Sequence, residues 1–169
     1  MPESMDQNPA PVSSPLSIRP VSVDDFGALA ALERAIQKTP WTESHFVEEL
    51  AKPYSHTWVL TDDETDQILY GYIVFWEIDK TLQILNIGVA PEHQRGGLGT
   101  KLLRAAIGEG LRKGATRALL EVRKSNTSAI TVYQRLGFAV DQIRKKFYSD
   151  DEDAYVFTLP LEVNPFPDF

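Results

Sequence analysis

The chain has 169 residues, 43% of them hydrophobic and 24% charged, a length and balance that fit one domain able to bury a core. It contains no cysteine, which excludes disulfides, thiolate metal sites and a cysteine nucleophile. The net charge of −7 argues against a general nucleic-acid binder, which would be basic; an acidic surface serves solubility or draws in a basic substrate. The longest apolar run, Ile68 to Trp76, is too short to span a bilayer. The N-terminus lacks a basic segment followed by an apolar one, so no signal peptide and no membrane partner are read, and a cytoplasmic protein is expected.

Residues 1–15 carry Pro2, Pro9, Pro11 and Pro15 among polar residues and predict a disordered tail. One domain is expected over residues 16–163, with a short tail at 164–169. Leu16 to Arg19 predicts a first strand. Ser22-Val23-Asp24-Asp25 opens a helix as a capping box with Asp in place of Glu. Phe26, Leu29, Leu32 and Ile36 follow at helical spacing, and Thr39-Pro40 breaks it. Thr42 caps a second helix, with Trp41 and Phe46 at the staple positions, and that helix stops before Pro53. His56 to Leu60 and Ile68 to Ile78 read as strands joined by the acidic turn Asp62 to Asp66. Leu82 to Val89 is the next strand. Gly97 to Lys113 is a long helix ended by Gly114. Arg117 to Val122 is a strand, Asn126 to Leu136 a helix closed by Gly137, and Phe138 to Tyr148 and Ala154 to Leu159 the last strands. The order β-α-α-β-β-β-α-β-α-β-β predicts an α/β (α+β) fold: a mixed, mostly antiparallel sheet of six to seven strands with helices on both faces.

The segment from Leu85 to Lys101 carries the first chemical signal. A strand ends at Ala90, three glycines follow, and a helix begins. The first N–H groups of a helix lack partners, and its dipole favours an anion there. Glycines let an oxygen-rich ligand approach the backbone. A dinucleotide fingerprint would need glycine at Leu102, and a P-loop would need lysine before Thr100, so both fail. What remains, Gln94-Arg95-Gly96-Gly97-Leu98-Gly99, resembles the acetyl-CoA pyrophosphate loop of the GCN5-related N-acetyltransferases (GNAT). An ordinary strand-to-helix turn is the structural alternative.

The resemblance extends over residues 16–161. Leu120-Glu121-Val122-Arg123-Lys124-Ser125-Asn126 and Tyr133-Gln134-Arg135-Leu136-Gly137-Phe138 look like the second half of that fold. Pro40-Trp41-Thr42-Glu43 and Asn86-Ile87-Gly88-Val89 resemble segments of its branch that acetylates the N-terminal alanine of a ribosomal protein. The resemblance implies a GNAT fold, acetyl-CoA as cosubstrate, and a protein N-terminal peptide, such as that of a ribosomal protein, as acceptor. It implies that Arg95, Gly96, Gly97, Leu98, Gly99 and Thr100 hold the phosphates and that Ile87, Gly88 and Val89 pair with the pantetheine arm. It gives Asn126 a hydrogen bond to CoA, beside its reading as a plain helix cap.

Glu121 lies near the C-terminal end of a strand, where open α/β sheets place their sites. A carboxylate there can take a proton from an amine, and the resemblance implies that role. The alternative is a strand carboxylate paired with Arg123 or Arg117. Tyr133 falls at core spacing from Ile130 and Leu136; the resemblance makes it the acid that protonates the departing thiolate. Trp41 and Tyr148 are implied to border the acceptor, while Trp41 also reads as the staple on Phe46. Lys101 and Arg104 read equally as phosphate partners or a solvated helix face. His45, His56 and His93 show no metal spacing, so no metal is expected. Ser149 stands where that branch often has proline, and the loop 149–153 is shorter, which leaves acceptor choice open. A small-molecule amine acetyltransferase and a catalytically silent acyl-CoA-binding module remain as rival readings.

Overall fold

The computed structural model describes residues 12, 14–63, 68–162, 165 and 166. Most of the two expected tails and the middle of the acidic turn lie outside these residues. In chain order the elements are β1 (Leu16–Pro20), α1 (Phe26–Ile36), α2 (Glu43–Leu50), β2 (Ser55–Asp62), β3 (Leu69–Ile78), β4 (Thr81–Val89), α3 (Leu98–Arg112), β5 (Arg117–Arg123), α4 (Thr127–Arg135), β6 (Ala139–Arg144) and β7 (Ala154–Pro160). Short 3-10 turns, Val23–Asp25 and Pro91–His93, precede α1 and follow β4.

Local chemistry sets most of these boundaries. The Ser22 N–H donates to Asp25 Oδ2 at 2.7 Å, satisfying one orphan donor at the helix entrance. The Thr42 N–H donates to His45 Nδ1 at 2.9 Å, so histidine takes the place of the usual Glu at that helix start. Trp41 and Phe46 form the staple expected of them, with ring centroids 5.4 Å apart. Gly114 (φ 84°) and Gly137 (φ 96°) end α3 and α4 in the left-handed region, where a Cβ would be strained.

The seven strands form one sheet in the order β1-β2-β3-β4-β5-β7-β6. Every neighbouring pair is antiparallel except β4 and β5, which α3 connects as a parallel crossover. One face carries α3 and α4. Leu102, Leu103, Ala106 and Ile107 of α3 are buried there with Ile73, Phe75, Leu82, Leu120 and Phe157 of the sheet. Burial of each such leucine, isoleucine or phenylalanine contributes roughly 1.5–3 kcal/mol. The other face carries α1 and α2, where Phe26, Leu29 and Phe46 pack on Val59, Tyr72 and Val74.

Two departures from the sequence reading matter for the site. The β3–β4 register shifts between Val74, opposite Asn86, and Phe75, opposite Ile84, leaving Leu85 as an extra residue. This bulge lets Leu85 pack toward α1 and α2 while Asn86 also reaches α1. The expected strand Phe138 to Tyr148 is shorter and ends at Arg144. Lys146 adopts φ 49° and its N–H turns to Asp153 Oδ1 at 2.9 Å, which ends strand pairing. Tyr148 therefore sits in a turn, with its N–H on Glu152 O at 3.2 Å and its carbonyl accepting from the Asp151 N–H at 2.9 Å.

Candidate active site

β4 and β5 pair only from Thr81 to Ile84 and from Arg117 to Leu120. Beyond those positions the two strands part, and a gap opens between Leu85–Val89 and Glu121–Arg123. The phase of β4 at this gap follows from its bonds. The Ala90 N–H donates to Tyr70 O at 2.9 Å, so Gly88 and Asn86, at the same phase, also direct their backbone groups toward β3. The N–H and C=O groups of Ile87 and Val89 then face the gap. Two side-chain amides agree with that phase: Gln37 Nε2 donates to Ile87 O at 3.2 Å and Gln94 Nε2 to Val89 O at 3.1 Å. Gly88 itself meets a different demand. A Cβ on it would collide with Ile36 of α1 and lie 2.8 Å from the Tyr72 ring, so the missing side chain lets α1 and Tyr72 close onto β4.

The glycine loop lies at one end of this gap. Arg95 (φ 67°) and Gly97 (φ 81°) both adopt left-handed conformations, and Gly97 leads directly into α3. A Cβ on Gly97 would meet nothing within 4 Å, so the space above the helix N-terminus is open. Beside it runs a groove of ≈ 430 Å³ lined by Ile18, Gly97, Thr100, Lys101, Arg104 and Ala105. Lys101 Nζ donates to Leu16 O at 3.2 Å, and the Arg104 guanidinium lies 5.0 Å from the Phe166 ring centroid, so both cations are held beside this groove. Open N–H groups, a left-handed glycine and two nearby cations fit a diphosphate, and the exposed edge of β4 fits the amides of a pantetheine arm.

Glu121 stands on β5 opposite Val156, with only 11% of its side chain exposed. Neither partner expected from the sequence holds it. Arg123 is taken by Asp150 at 2.9 Å and Glu152 at 3.1 Å, and Arg117 donates to Thr81 Oγ1 at 3.1 Å. Glu121 pairs instead with Arg144 of β6, at 3.5 Å. Tyr133 of α4 is 7% exposed, between Phe138 and Phe157, so it does occupy a core position. Yet its hydroxyl makes no hydrogen bond among the described residues. Burial, with a smaller contribution from Tyr148, raises that hydroxyl above the ordinary phenol range. Burial pushes Tyr148 up to about 12, opposed by Arg123 and reinforced by the Glu121 carboxylate. Tyr148 is thus an electrostatic neighbour of both Tyr133 and Glu121. Asn126 caps α4 as the sequence suggested, its Oδ1 accepting from the Ala129 N–H at 3.3 Å.

Across the α1 side of the gap, the α1–α2 link meets the turn after β6. Arg123 reaches Thr39 Oγ1 at 3.3 Å while holding Asp150 and Glu152, and it stacks on the Tyr148 ring at 4.0 Å. Lys38 adds longer pairs to Asp150 at 3.9 Å and Glu152 at 3.8 Å. Trp41 follows this bridge, half-buried against Phe46. No cluster of metal-ligating side chains occurs among the described residues. No helix among them is long and apolar enough to cross a membrane.

Sequence reading missed a polar group on this face. Glu33 of α1 is fully buried and accepts from Asn86 Nδ2 at 2.7 Å, from the Trp41 N–H at 3.1 Å and from the Tyr72 hydroxyl. Gln37 completes the group, donating to Asn86 Oδ1 at 3.1 Å as well as to Ile87 O. The signal available was a lone glutamate among the apolar positions of an amphipathic helix, which a snorkelling surface residue also gives.

The acetyltransferase (GNAT) family profile matches residues 26–138. A Bacillus subtilis (strain 168) protein, provisionally named a [ribosomal protein bS18]-alanine N-acetyltransferase, is 35% identical over 147 residues, covering 86% of this chain and 95% of its own. The [ribosomal protein bS18]-alanine N-acetyltransferase of Salmonella typhimurium (strain LT2) is 32% identical over 146 residues, covering 85% and 96%. The crystal structure of the ribosomal-protein-S18-alanine N-acetyltransferase from Escherichia coli superimposes with a TM-score of 0.78 at 30% identity, over 88% of this chain and 95% of that one. The residues matched by the family profile include the glycine loop, the parted strands and the tyrosine helix. The chain belongs to the GNAT family of acetyltransferases and is an acetyl-CoA-dependent N-acetyltransferase.

Proposed function

We propose that residues 16–163 form one cytoplasmic acetyltransferase domain that moves acetyl from acetyl-CoA to the N-terminal α-amine of a protein, in a ternary complex. The acceptor is the alanine-first terminus of ribosomal protein bS18, the substrate in the names of its relatives. The observation that carries the reading is the gap between β4 and β5. Ile87 and Val89 present backbone groups on one side, and Glu121 belongs to the strand that bounds the other.

Bound acetyl-CoA supplies the activated acetyl group as a thioester. Arg95 and the Gly96–Thr100 backbone hold its phosphates at the α3 N-terminus, and Asn126 adds a hydrogen bond from the α4 side. Ile87 and Val89 N–H groups stabilise negative charge that develops on the thioester oxygen. Glu121 accepts the proton of the α-ammonium, directly or through a water, so that the amine attacks in its neutral form. Arg144 occupies the Glu121 carboxylate until a cationic acceptor competes for it. Tyr133 donates its hydroxyl proton to the departing sulfur. Its burial keeps it protonated at neutral pH, and the same desolvation raises the proton affinity of a thiolate released beside it. Trp41 and Tyr148 line the approach of the first acceptor residues. An α-amine has a pKa of roughly 8 against about 10.4 for lysine, so Glu121 has less work to do on a chain terminus.

The test is a panel assay. Purified protein with acetyl-CoA is offered an alanine-first peptide of the bS18 terminus, lysine peptides with blocked termini, and polyamines. Free CoA is followed, and the acetylated atom is located by mass spectrometry. Turnover on the alanine-first peptide, with acetyl on the α-nitrogen, is expected. Turnover confined to polyamines or lysine would overturn the acceptor.

A further inference from the structure

We propose that Glu33 is a positioning residue for acyl transfer: its buried carboxyl ties the gap-facing edge of β4 to the α1–α2 link, fixing thioester and acceptor in one geometry. The inference rests on the reading of the gap as the transfer site.

The three groups that donate to Glu33 each belong to a different part of that site. The Trp41 N–H, at 3.1 Å, begins the segment that borders the acceptor. Asn86 Nδ2, at 2.7 Å, belongs to the bulged stretch of β4, immediately before Ile87. The Tyr72 hydroxyl lies against Gly88, from the neighbouring strand. Gln37, one turn further along from Glu33, links the same Asn86 to the Ile87 carbonyl at 3.1 and 3.2 Å. One carboxyl thus fixes the side chain before Ile87, the ring behind Gly88 and the main chain of Trp41.

Burying a carboxyl among neutral donors is costly, and apolar residues could fill that volume with less penalty. What they could not supply is direction. Packing tolerates small slides of a helix along a sheet, whereas three hydrogen bonds to fixed donors do not. The bulge at Leu85 sharpens the need: an extra residue loosens the register of β4 just before the two N–H groups that meet the thioester oxygen. Glu33 and Gln37 restore that register from the side.

The test compares the full-length wild type with Glu33→Ala, Glu33→Gln and Gln37→Ala, on whichever amine acceptor the wild type acetylates. It reads acetyl-CoA affinity by calorimetry, kcat and acceptor KM by CoA release, and melting temperature. Glu33→Ala should lower kcat roughly 10- to 100-fold and raise acceptor KM several-fold, with acetyl-CoA affinity within about threefold. Glu33→Gln should recover most of both: its amide oxygen can accept from Trp41 and Asn86 while its NH₂ donates to Tyr72 Oη. Gln37→Ala leaves no buried carboxyl unpaired, so it should fold normally, lower kcat about three- to tenfold and spare acceptor KM. If Glu33→Ala does not fold, the other two variants decide. Wild-type kcat in Gln37→Ala, or Glu33→Gln as inactive as Glu33→Ala at an unchanged melting temperature, would overturn the inference. A wild type that binds acetyl-CoA but acetylates only non-peptide amines would overturn the proposed acceptor and leave the Glu33 comparison readable on those amines.

Discussion

The two faces of the sheet are held in different ways. On the α3–α4 face the contacts are apolar: Leu102, Leu103 and Ile107 lie fully buried against Phe75, Leu82 and Leu120. On the α1–α2 face a smaller apolar cluster surrounds a buried carboxyl, a buried tyrosine and two amides. Apolar contacts are graded by volume and tolerate repacking, while hydrogen bonds to a buried carboxyl are directional and tolerate little. The apolar face holds the larger of the two buried clusters. The polar face lies beside the α1–α2 link and β4, where the acceptor is to be aimed. Tyr133 belongs to the apolar face, yet its hydroxyl makes no hydrogen bond among the described residues, and the proposed reaction is what gives that hydroxyl a task.

The substitution with the largest expected effect tests neither face but the loop between them. Gly97→Glu places a negative side chain where phosphate is to sit, at a φ of 81° that a Cβ strains. Acetyl-CoA affinity measured by calorimetry should fall by more than roughly 10²-fold with the sheet intact; an unchanged affinity would remove the loop from the cosubstrate site. Tyr133→Phe is the sharpest challenge to the contrast of faces. It keeps the ring and removes one hydroxyl, so the melting temperature should hold while kcat falls roughly 10²-fold. A retained kcat with a lowered melting temperature would make Tyr133 an ordinary core residue. Leu103→Ala probes the apolar face alone. It should cost about 2–5 kcal/mol in denaturant unfolding while kcat and KM of the folded enzyme stay near wild type.

The smallest effect belongs to a polar group on the α1 side that only holds structure. Asp25 accepts from Arg19 at 2.7 and 3.0 Å and from the Ser22 N–H, and the Arg19 hydrogen bonds in particular hold its carboxyl below the ordinary 3.8. Its folded-state pKa is depressed, so its contribution is present above the unfolded value and is lost as pH falls through the folded one. Asp25→Asn should cost about 1 kcal/mol near neutral pH, less in acid, with no change in kcat. A kinetic effect there would blur the distinction between polar groups that build the fold and those that aim the reaction.

The parts of this molecule legible in the sequence are those with local causes. Ser22 with Asp25, Thr42 with the Trp41–Phe46 staple, and Gly114 and Gly137 mark helix ends within a few residues of the groups they bond. The glycine loop and the apolar rows of α3 are likewise written in consecutive residues, and so was the family resemblance they carry. The polar group on the α1 face joins residues far apart in the chain: Glu33 and Tyr72 are separated by 39 positions, Glu33 and Asn86 by 53, and Gln37 and Asn86 by 49. No periodicity within one element announces such a partner. The same holds for Arg144 on Glu121, where the sequence offered the nearby Arg123 and Arg117 instead, and the sheet order put β7 and then β6 beside β5. The early end of β6 escaped notice because its cause is a side chain seven residues on, Asp153 accepting from the Lys146 N–H.

If Glu121 prepares a chain-terminal amine for attack, a pair of pH–rate profiles will register it. Wild type and Glu121→Gln are compared on an alanine-first peptide at saturating acetyl-CoA. Glu121→Gln should bind acetyl-CoA within a small factor of wild type, be slow at neutral pH, and regain part of its rate as pH rises past roughly 8, where an α-amine is mostly neutral unaided. Superimposable profiles would contradict that role, returning Glu121 to a structural partner of Arg144, and recovery only near lysine's pKa of about 10.4 would contradict the chain terminus as acceptor.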